Sequence, residues 1–450
     1  GRGFSRGGIQ VLRMKKRQAL IGLFLAAILW PASAGGKVYI DINAPGFSAL
    51  PIAIPKFEDN SLRKEHDPAT GVYLSEVISG DLKKSGLFFL LDPRSFLPTD
   101  PRRRKDTIDF RRWTIVGAEV VVLGSYWFRD KAFMAEVGIY DAVQGQRIAA
   151  KQYGGSKAGV KRIAHKIANE ILYQFTGRPG AFDTSIAFVS NRTGAKEIYV
   201  MDCDGSEVEQ LTRNNSINLL PRWSHDRRNI LYTSYRHGTP GLYVLDMLSM
   251  RSRRLIKNDR FNTGGVSSPD GSRIAFVSSR TGNADIYTMN ADGTDVRQVT
   301  KHWALDVSPA WSPDGDKIAF ISDRKGNPHV FVMNADGTDQ RRFSYVGKYC
   351  ASPKWSPDGH SIAFVCREKG GPLQIMLADL AGGRARQITY GPEGKEDPSW
   401  SPDGRFIAFS LTQAGNSDIY LVNVMGGVPI RLTATTYDET NPEWSPAGEN

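Results

Sequence analysis

Few residue combinations in this sequence could carry out chemistry. One Gly-x-Ser-x-Gly pattern, at residues 3–7, matches the nucleophile turn of many hydrolases. It precedes an apolar run at residues 19–30 and lacks the strand and helix that must flank such a serine. No Gly-x-x-x-x-Gly-Lys-Ser/Thr sequence is present to bind phosphate. These motifs therefore predict that the chain is not an enzyme.

Histidine and acidic residues do not form a recognisable metal site either. The seven histidines are scattered, without the His-Glu-x-x-His spacing of zinc sites, and His165 is expected on the polar surface of a helix. Residues 201–207 carry alternating acids like a calcium loop, but they lack its length and its final glutamate, which favours a turn. The sequence predicts neither a metal ion nor a cofactor.

Three cysteines are present, so at least one thiol must stay unpaired within the chain. Cys350 and Cys366 face each other if Ser356 pairs with Ser361 in a hairpin. That arrangement is compatible with a cross-strand disulfide or with two free thiols. A disulfide framework is not the basis of the fold.

The formal net charge is +11, but it is unevenly distributed. Residues 1–34 contribute six positive charges, because they contain six basic residues and no acidic residue. About +5 remains on the rest of the chain, too little to indicate a nucleic-acid partner. The basic run at residues 102–105 has Asp100, Asp106 and Asp109 around it, as expected of a solvated loop.

Residues 14–34 have the pattern of a secretory signal peptide. Met14 is followed by three basic residues, an apolar run and a small-x-small end at Ala32 and Ala34. The apolar run has about 12 residues, which is too short for a membrane-spanning helix. We therefore expect the protein to be exported.

A repeat of 44 or 45 residues dominates the second part of the chain. Ile-Ala-Phe or a close variant begins at Ile186, Ile230, Ile274, Ile318, Ile362 and Ile407. A tryptophan column, with one serine in it, runs in the same register: Trp223, Ser267, Trp311, Trp355, Trp400 and Trp444. A column of hydroxyl residues, with one isoleucine, closes the units: Thr212, Ile256, Thr300, Ser344, Thr389 and Thr433.

Each repeat contains four short strand candidates separated by turn residues. In one repeat they are residues 308–312, 318–322, 329–334 and 341–344. Four strands in about 40–45 residues are typical of a β-propeller blade. We expect each tryptophan to fill the gap between neighbouring blades, so the joint at Ser267 should be looser.

The strand order predicts how the propeller closes. The domain, residues 181–450, begins with a second-type strand at Ile186 and ends with a first-type strand at residues 441–445. The last strand must join the first three to complete a sixth blade, which removes the open sheet edge. The predicted fold class is an all-β six-bladed propeller closed by its C-terminal strand.

Residues 36–180 lack the repeat and mix strands with helices, which predicts an α/β or α+β domain. Alternating or apolar segments predict strands, and apolar residues three and four apart predict helices. The predicted strands are 37–42, 50–54, 87–91, 118–124, 133–140 and 147–153, and the predicted helices are 73–85 and 159–174.

The connections from each fourth strand to the next first strand must open on one propeller face, which we call the loop face. They are residues 213–220, 257–264, 301–307, 345–350, 390–396 and 434–440. Aromatic residues and arginine often anchor protein interfaces. The candidate binding residues on these connections are Asn214, Asn215, Arg260, Phe261, Asn262, His302, Trp303, Asp306, Tyr345, Tyr349, Glu396, Tyr437 and Glu439.

Two features of the sequence resemble the TolB family. The Trp-Ser-Pro-Asp-Gly, Ile-Ala-Phe and Tyr-x-Met-Asn-Ala-Asp-Gly segments resemble its six-bladed propeller. The junction is more specific: residues 165–171, Phe-Thr-Gly at 175–177 and Gly-Ala-Phe-Asp-Thr at 180–184 are similar to the family's passage into the first blade. The resemblance covers residues 37–450.

This resemblance implies a periplasmic, monomeric adaptor of the Tol-Pal cell-envelope system, which supports outer-membrane integrity and cell division. It implies that the loop face binds the lipoprotein Pal, which makes the protein peripheral to the outer membrane. It also implies that an N-terminal segment either orders against the protein or binds a TolA-type inner-membrane protein. That segment contains Lys37, Val38, Tyr39, Ile40 and Asp41.

Two other interpretations stay open from the sequence. The first is a non-catalytic propeller that belongs to a peptidase-like enzyme, with the catalytic domain lost or on another chain. The second is a propeller that binds a sugar or a metal in its channel. The missing nucleophile motif and the short non-repeat domain argue against the first.

Overall fold

A mixed sheet covered by helices precedes the repeats. The computed structural model describes residues 48–98, 108–257, 260–368, 370–382 and 385–448. The predicted signal peptide, the strand predicted at 37–42 and the basic run at 102–105 lie outside these ranges. The strands are β1 (Leu50–Ala53), β2 (Glu58–Asp59), β3 (Phe88–Leu90), β4 (Val120–Arg129), β5 (Ala132–Asp141) and β6 (Gln146–Ser156).

The sheet has the order β3-β1-β4-β5-β6, with β2 beside β4. The β1–β3, β1–β4 and β2–β4 pairs are parallel, whereas β4, β5 and β6 form an antiparallel meander. The predicted strand at 118–124 therefore extends to Arg129, because its whole length pairs with β5.

Within the described residues, three α-helices accompany this sheet: α1 (Pro68–Ser85), α2 (Phe110–Ile115) and α3 (Val160–Thr176). Single 3₁₀ turns lie at Arg63–Glu65, Pro93–Ser95 and Lys157–Gly159. Helix α1 begins earlier than residue 73, because proline fits the first turn, where its missing N–H has no partner to lose. Gly177 ends α3 with a φ of 67°, a left-handed conformation that glycine adopts without strain.

Helices α1 and α3 share one hydrophobic core with the propeller. Ile78, Leu82 and Ile171 are fully buried, and they belong to the same cluster as Phe188 of the propeller and Trp444 near its end. The first domain is thus packed onto the propeller by apolar contact.

The repeats form six four-stranded antiparallel sheets. We number as blade 1 the sheet that begins at Ser185, and blades 2 to 6 follow in chain order. First strands of blades 2 to 6 are Asn218–Trp223, Asn262–Ser267, Asp306–Trp311, Tyr349–Trp355 and Gly394–Trp400, and that of blade 1 is Glu439–Trp444. Second strands, from blade 1, are Ser185–Ser190, Asn229–Ser234, Arg273–Ser278, Lys317–Ser322, Ser361–Arg367 and Phe406–Gln413.

Only the fourth strand of each blade, at the rim, is shorter than the other three. Third strands, from blade 1, are Glu197–Asp202, Gly241–Asp246, Asp285–Asn290, His329–Asn334, Leu373–Asp379 and Asn416–Asn423. Fourth strands are Glu209–Gln210, Arg251–Arg254, Arg297–Gln298, Arg341–Arg342, Arg386–Gln387 and Ile430–Arg431.

The last strand closes blade 1, as the strand order predicts. Glu439 pairs with Ser190 and Trp444 pairs with Ile186, so the first and last strands of the propeller are hydrogen-bonded neighbours. The chain therefore forms the six-bladed propeller expected from the sequence.

Tryptophans of the first strands join neighbouring blades. The indole N–H of Trp311 donates to the carbonyl oxygen of Val266 at 3.2 Å, and that of Trp400 donates to Lys354 at 3.1 Å. Each bond reaches the blade before, at the same height in its first strand. Ser267 cannot make this bond, which is the physical reason for the looser joint predicted there.

The hydroxyl column has a structural role as well. The Thr300 hydroxyl accepts from the backbone N–H of Ile286 at 2.9 Å and lies 3.4 Å from buried Asp285. The same pattern recurs in blades 1, 4, 5 and 6. Blade 2 has Gly241 and Ile256 at these two positions, so both polar partners are absent together.

Candidate functional site

Exposed aromatic side chains project from the loop face. Trp303, Tyr345 and Tyr390 are 79%, 76% and 71% exposed. Further exposed apolar side chains come from the same connections: Ile217, Phe261, Leu305, Tyr349 and Tyr437. All six connections open on one side, because the six first strands run in the same direction around the channel. Together they place large apolar groups in water around one end of it.

The structure separates the candidate residues into two sets. Exposed or half-buried on the face are Asn214, Asn215, Arg260, Phe261, His302, Trp303, Tyr345, Tyr349, Glu396 and Tyr437. Asn262, Asp306 and Glu439 are fully buried beneath it. The first set can contact a partner directly, whereas the second set supports the loops.

Each buried candidate has an internal partner. Asp306 accepts two hydrogen bonds from Arg324, at 2.8 and 3.0 Å. Glu439 forms an ion pair with Arg192, and Asn262 accepts a bond from the Ser278 hydroxyl at 2.9 Å. Buried charges must be paired in this way, so these residues give the face its shape.

Two charged residues, Lys395 and Glu396, stand at the start of the first strand of blade 6. Lys395 is 1% exposed, and its ammonium group donates to the carbonyl oxygens of Tyr390 and Glu393 at 2.9 and 2.8 Å. Loss of hydration and the neighbouring Asp397 raise the pKa of Glu396. A carboxyl group in this state takes up a proton more readily than an ordinary surface glutamate.

Sequence reasoning missed Tyr390 as a candidate, although it has the same position after the fourth strand as Tyr345. The repeat register was the signal that could have identified it. The turns between second and third strands also open on this face, and their arginines were not singled out either.

A cavity of about 640 Å³ lies at the opposite end of the channel. Its charged lining residues are Arg222, Asp226, Arg227, Lys354 and Glu443. The Glu443 carboxylate accepts from Arg222 at 3.0 Å and from Lys354 at 2.6 Å. Among the described residues, no cluster of three or more histidine, cysteine or acidic side chains could hold a metal ion.

The expectation that His165 lies on the surface is wrong. The side chain is 3% exposed, and its Nδ1 atom lies 2.5 Å from Oδ2 of buried Asp81 on α1. Its Nε2 atom lies 3.8 Å from Asp204, in the turn between the third and fourth strands of blade 1. His165 is therefore an interdomain contact, because α3 turns this side toward the propeller.

Residues 201–207 form the predicted turn rather than an ion-binding loop. Although burial opposes it, hydrogen bonds from Lys161 and Ser206 lower the pKa of Asp204 to about 2. Burial raises the pKa of the neighbouring Cys203 thiol well above its usual range. The turn thus serves as a docking point for α3.

Cys350 and Cys366 form a disulfide within blade 5. They occupy directly paired positions on the first and second strands, in the register that the Ser356–Ser361 pairing sets. Blades 1 to 4 have a polar residue and a serine at these two places, such as Asp306 and Ser322 in blade 4, whereas blade 6 has Lys395 and Leu411.

The fold and this face define a six-bladed β-propeller protein with an N-terminal α/β domain and an aromatic-rich surface. A family model described as the TolB beta propeller domain matches residues 172–447, and one described as the TolB amino-terminal domain matches residues 38–148. The chain belongs to the TolB family.

Curated relatives carry the name Tol-Pal system protein TolB. That of Syntrophotalea carbinolica is 38% identical over 210 residues, which is 46% of this chain and 48% of the relative. That of Geobacter sulfurreducens is 38% identical over 212 residues, 47% of this chain and 48% of the relative. The chain thus spans about half the length of the curated relatives it matches.

The solved structure of TolB from Acinetobacter baumannii has the same fold. It is 24% identical, with a TM-score of 0.77 over 89% of this chain and 97% of that chain. Within the described ranges, no helix of the protein is both long and apolar enough to cross a membrane.

Proposed function

We propose that the protein is a non-catalytic adaptor of the Tol-Pal system, located in the periplasm, that binds the lipoprotein Pal through the loop face. The observation that carries the proposal is the set of exposed aromatic side chains on that face, above all Trp303, Tyr345 and Tyr390. In this role it would support outer-membrane integrity and cell division as a monomer held at the outer membrane by Pal.

Exposed aromatic groups are a signature of protein interfaces. Contiguous apolar surface is unusual on a monomeric protein unless it binds a partner. Tyrosine and tryptophan supply large contact area at low conformational cost, and they dominate binding energy where they are desolvated. Beneath them, the buried pairs of Asp306 with Arg324 and of Glu439 with Arg192 hold the loops in place. A preordered surface loses less entropy on binding.

A second binding element of the proposal is the N-terminal segment with Lys37 to Asp41, which lies outside the described residues. We propose that it binds a TolA-type inner-membrane protein. A segment whose position depends on whether the loop face is occupied would couple the two partner sites.

The Pal interaction is tested by calorimetry with purified Pal that lacks its lipid anchor. Trp303→Ala and Tyr345→Ala together should weaken binding by at least 2 kcal/mol, or roughly 30-fold, because both side chains would lie at the interface core. The matched control is Leu248→Ala, since Leu248 is 96% exposed in a turn on the opposite face. Equal Pal affinities for the aromatic double variant and the control would overturn the proposal.

The coupling is tested separately by deleting residues 36–43. If the position of the segment depends on occupation of the loop face, the deletion should change Pal affinity, because the two sites are linked. An unchanged Pal affinity would show that no such coupling exists in this protein, while leaving Pal binding itself intact.

A further inference from the structure

Four consecutive blades place an arginine at the same position on the loop face, in the turn after the second strand. They are Arg192, Arg236, Arg280 and Arg324. Each guanidinium lies over an aromatic ring of the third strand, with centroid distances of 4.8 Å to Tyr199, 3.9 Å to Tyr243, 4.9 Å to Tyr287 and 5.1 Å to Phe331. The rings hold the side chains in one orientation by cation–π contact.

In blades 1 and 4 this arginine has an internal carboxylate. Arg192 pairs with Glu439, and Arg324 pairs with Asp306 at 2.8 Å. Both acids are fully buried and stand at the start of the first strand of the same blade. The charge of each arginine is therefore neutralised within the protein.

In blades 2 and 3 the equivalent first-strand residues are Asn218 and Asn262, which carry no charge. Within the described ranges, no carboxylate forms an ion pair with Arg236 or Arg280. The Nε atom of Arg236 and one terminal nitrogen of Arg280 are buried without a hydrogen-bond partner. A guanidinium partly withdrawn from water is unfavourable unless an anion completes its bonds.

Acids near these two arginines are already engaged elsewhere. Glu197 accepts hydrogen bonds from Thr212, Asn214 and Asn218. Asp285 lies beside the side chains of Gln298 and Thr300. Neither side chain is available to neutralise Arg236 or Arg280.

Further cations border the same sector of the face. Arg213, Lys257 and Lys301 are exposed directly after the fourth strands of blades 1, 2 and 3. The equivalent positions after blades 4 and 5 hold Tyr345 and Tyr390. At this position the residue is therefore cationic after blades 1 to 3 and aromatic after blades 4 and 5.

We propose that Arg236 and Arg280 bind carboxylates of an acidic segment of the docking partner. Carboxylates of the partner then neutralise the arginines of blades 2 and 3, as Asp306 and Glu439 neutralise those of blades 4 and 1. A carboxylate matches the two-pronged donor geometry of a guanidinium. This inference rests on the proposed docking function of the loop face, and it names the chemistry of the partner surface: acidic residues beside an apolar contact.

A defined probe tests the site without any cellular partner. A fluorescently labelled hexaglutamate peptide should bind the wild-type chain at low ionic strength, and a hexalysine peptide should not. Arg236→Met with Arg280→Met should weaken hexaglutamate binding at least ~10-fold. The control is Arg251→Met with Arg253→Met, an equal charge change on the exposed outer strand of blade 2, which should bind like wild type. Equal affinities for the two double variants, or no binding to wild type, would overturn the inference.

Two reciprocal variants distinguish binding at these arginines from attraction by the overall charge of the protein. Asn262→Asp gives Arg280 an internal carboxylate, as in blade 4, and should weaken hexaglutamate binding without loss of thermal stability. Asp306→Asn removes the carboxylate that pairs with Arg324. This variant should therefore bind hexaglutamate more tightly, although it should be less stable. Full hexaglutamate affinity in folded Asn262→Asp protein contradicts the proposal.

Soluble Pal distinguishes this inference from the adaptor function. If Pal binds wild type and the Arg236/Arg280 double variant equally, the acidic contact is absent and the adaptor function stands. If Pal does not bind wild type while hexaglutamate responds as expected, the adaptor function fails and the carboxylate site stands.

Discussion

The indole N–H of Trp223 donates a hydrogen bond to the carbonyl oxygen of Glu443, 3.2 Å away, where the closing strand meets blade 2. The side chain of Glu443 also accepts from Arg222 of blade 2 and Lys354 of blade 5. One residue of the last strand therefore ties three blades together around the channel.

Replacing this glutamate tests how much the ion pairs contribute to closure. Glu443→Gln leaves Arg222 and Lys354 without their shared anion and should lower the free energy of unfolding by about 3 kcal/mol. Denaturant unfolding measures it, with Glu209→Gln as the control, because Glu209 is exposed on an outer strand of blade 1. Equal unfolding midpoints for the two variants would show that the backbone pairing alone holds the ring closed.

Lys354 should make the free energy of unfolding depend on pH in the alkaline range. Burial, with the nearby Arg222, lowers its pKa to about 8 although Glu443 opposes this. The folded state thus binds the proton less well than the unfolded state, whose lysine has a pKa of about 10.4. This difference in pKa lowers the free energy of unfolding by its full amount below pH 8. The loss becomes smaller as the pH rises toward the pKa of lysine in the unfolded chain.

Lys354→Met removes this titration, so the comparison isolates it. Between pH 8 and pH 10 the wild type should gain about 2 kcal/mol of unfolding free energy relative to the variant. Parallel urea titrations at pH 7, 8, 9 and 10 measure the difference. A difference that stays constant across this range would assign Lys354 an ordinary pKa.

The tryptophan column gives a prediction in both directions. Trp355 is 8% exposed and bonds to Ala310 of the preceding blade, so Trp355→Ser should cost about 3 kcal/mol. Ser267→Trp completes the tryptophan column at the open end of the channel and should raise the free energy of unfolding by about 1 kcal/mol. Thermal unfolding compares both with wild type. Destabilisation by Ser267→Trp would mean that neighbouring side chains already fill that joint.

Much of this architecture is predictable because the same pattern of strand and turn residues occurs six times in the sequence. The 44-residue register predicts blade number, strand type and closure by the last strand, since each depends on local turns and alternating side chains. The cross-strand register likewise places Cys350 opposite Cys366, although it could not decide between a disulfide and two thiols.

Burial set by distant contacts was not predictable in the same way. His165 appears polar-faced within its own helix, but Asp81 and Asp204, far away in sequence, enclose it. Asp306 and Glu439 look like exposed loop residues until Arg324 and Arg192 fold over the start of each first strand. These contacts depend on how elements pack, which local periodicity does not contain.

The Cys350–Cys366 disulfide should stabilise blade 5. The cross-link spans 16 residues of sequence, and closing a loop of this size restricts the unfolded chain by about 3 kcal/mol. Reduction should therefore lower the unfolding midpoint of wild type, and Cys350→Ala with Cys366→Ala should lower it equally and abolish the effect of reductant. Cys203→Ala is the control, because Cys203 is unpaired and buried, and it should leave the response to reductant intact. A wild-type midpoint that ignores reductant would contradict the contribution.

The His165 side chain should join α1 and α3 to the propeller, because it contacts Asp81 of α1 and faces Asp204 of blade 1. His165→Leu leaves the buried Asp81 carboxylate without this partner, although Lys84 lies 3.6 Å away, and should lower the free energy of unfolding by about 2 kcal/mol. Because His165 also faces Asp204 of the propeller at 3.8 Å, the loss should also appear as faster proteolysis near residues 177–184. Lys166→Leu is the matched control, since the next residue of the same helix is exposed. If both variants unfold and are cleaved like wild type, the first domain is held by the apolar core alone.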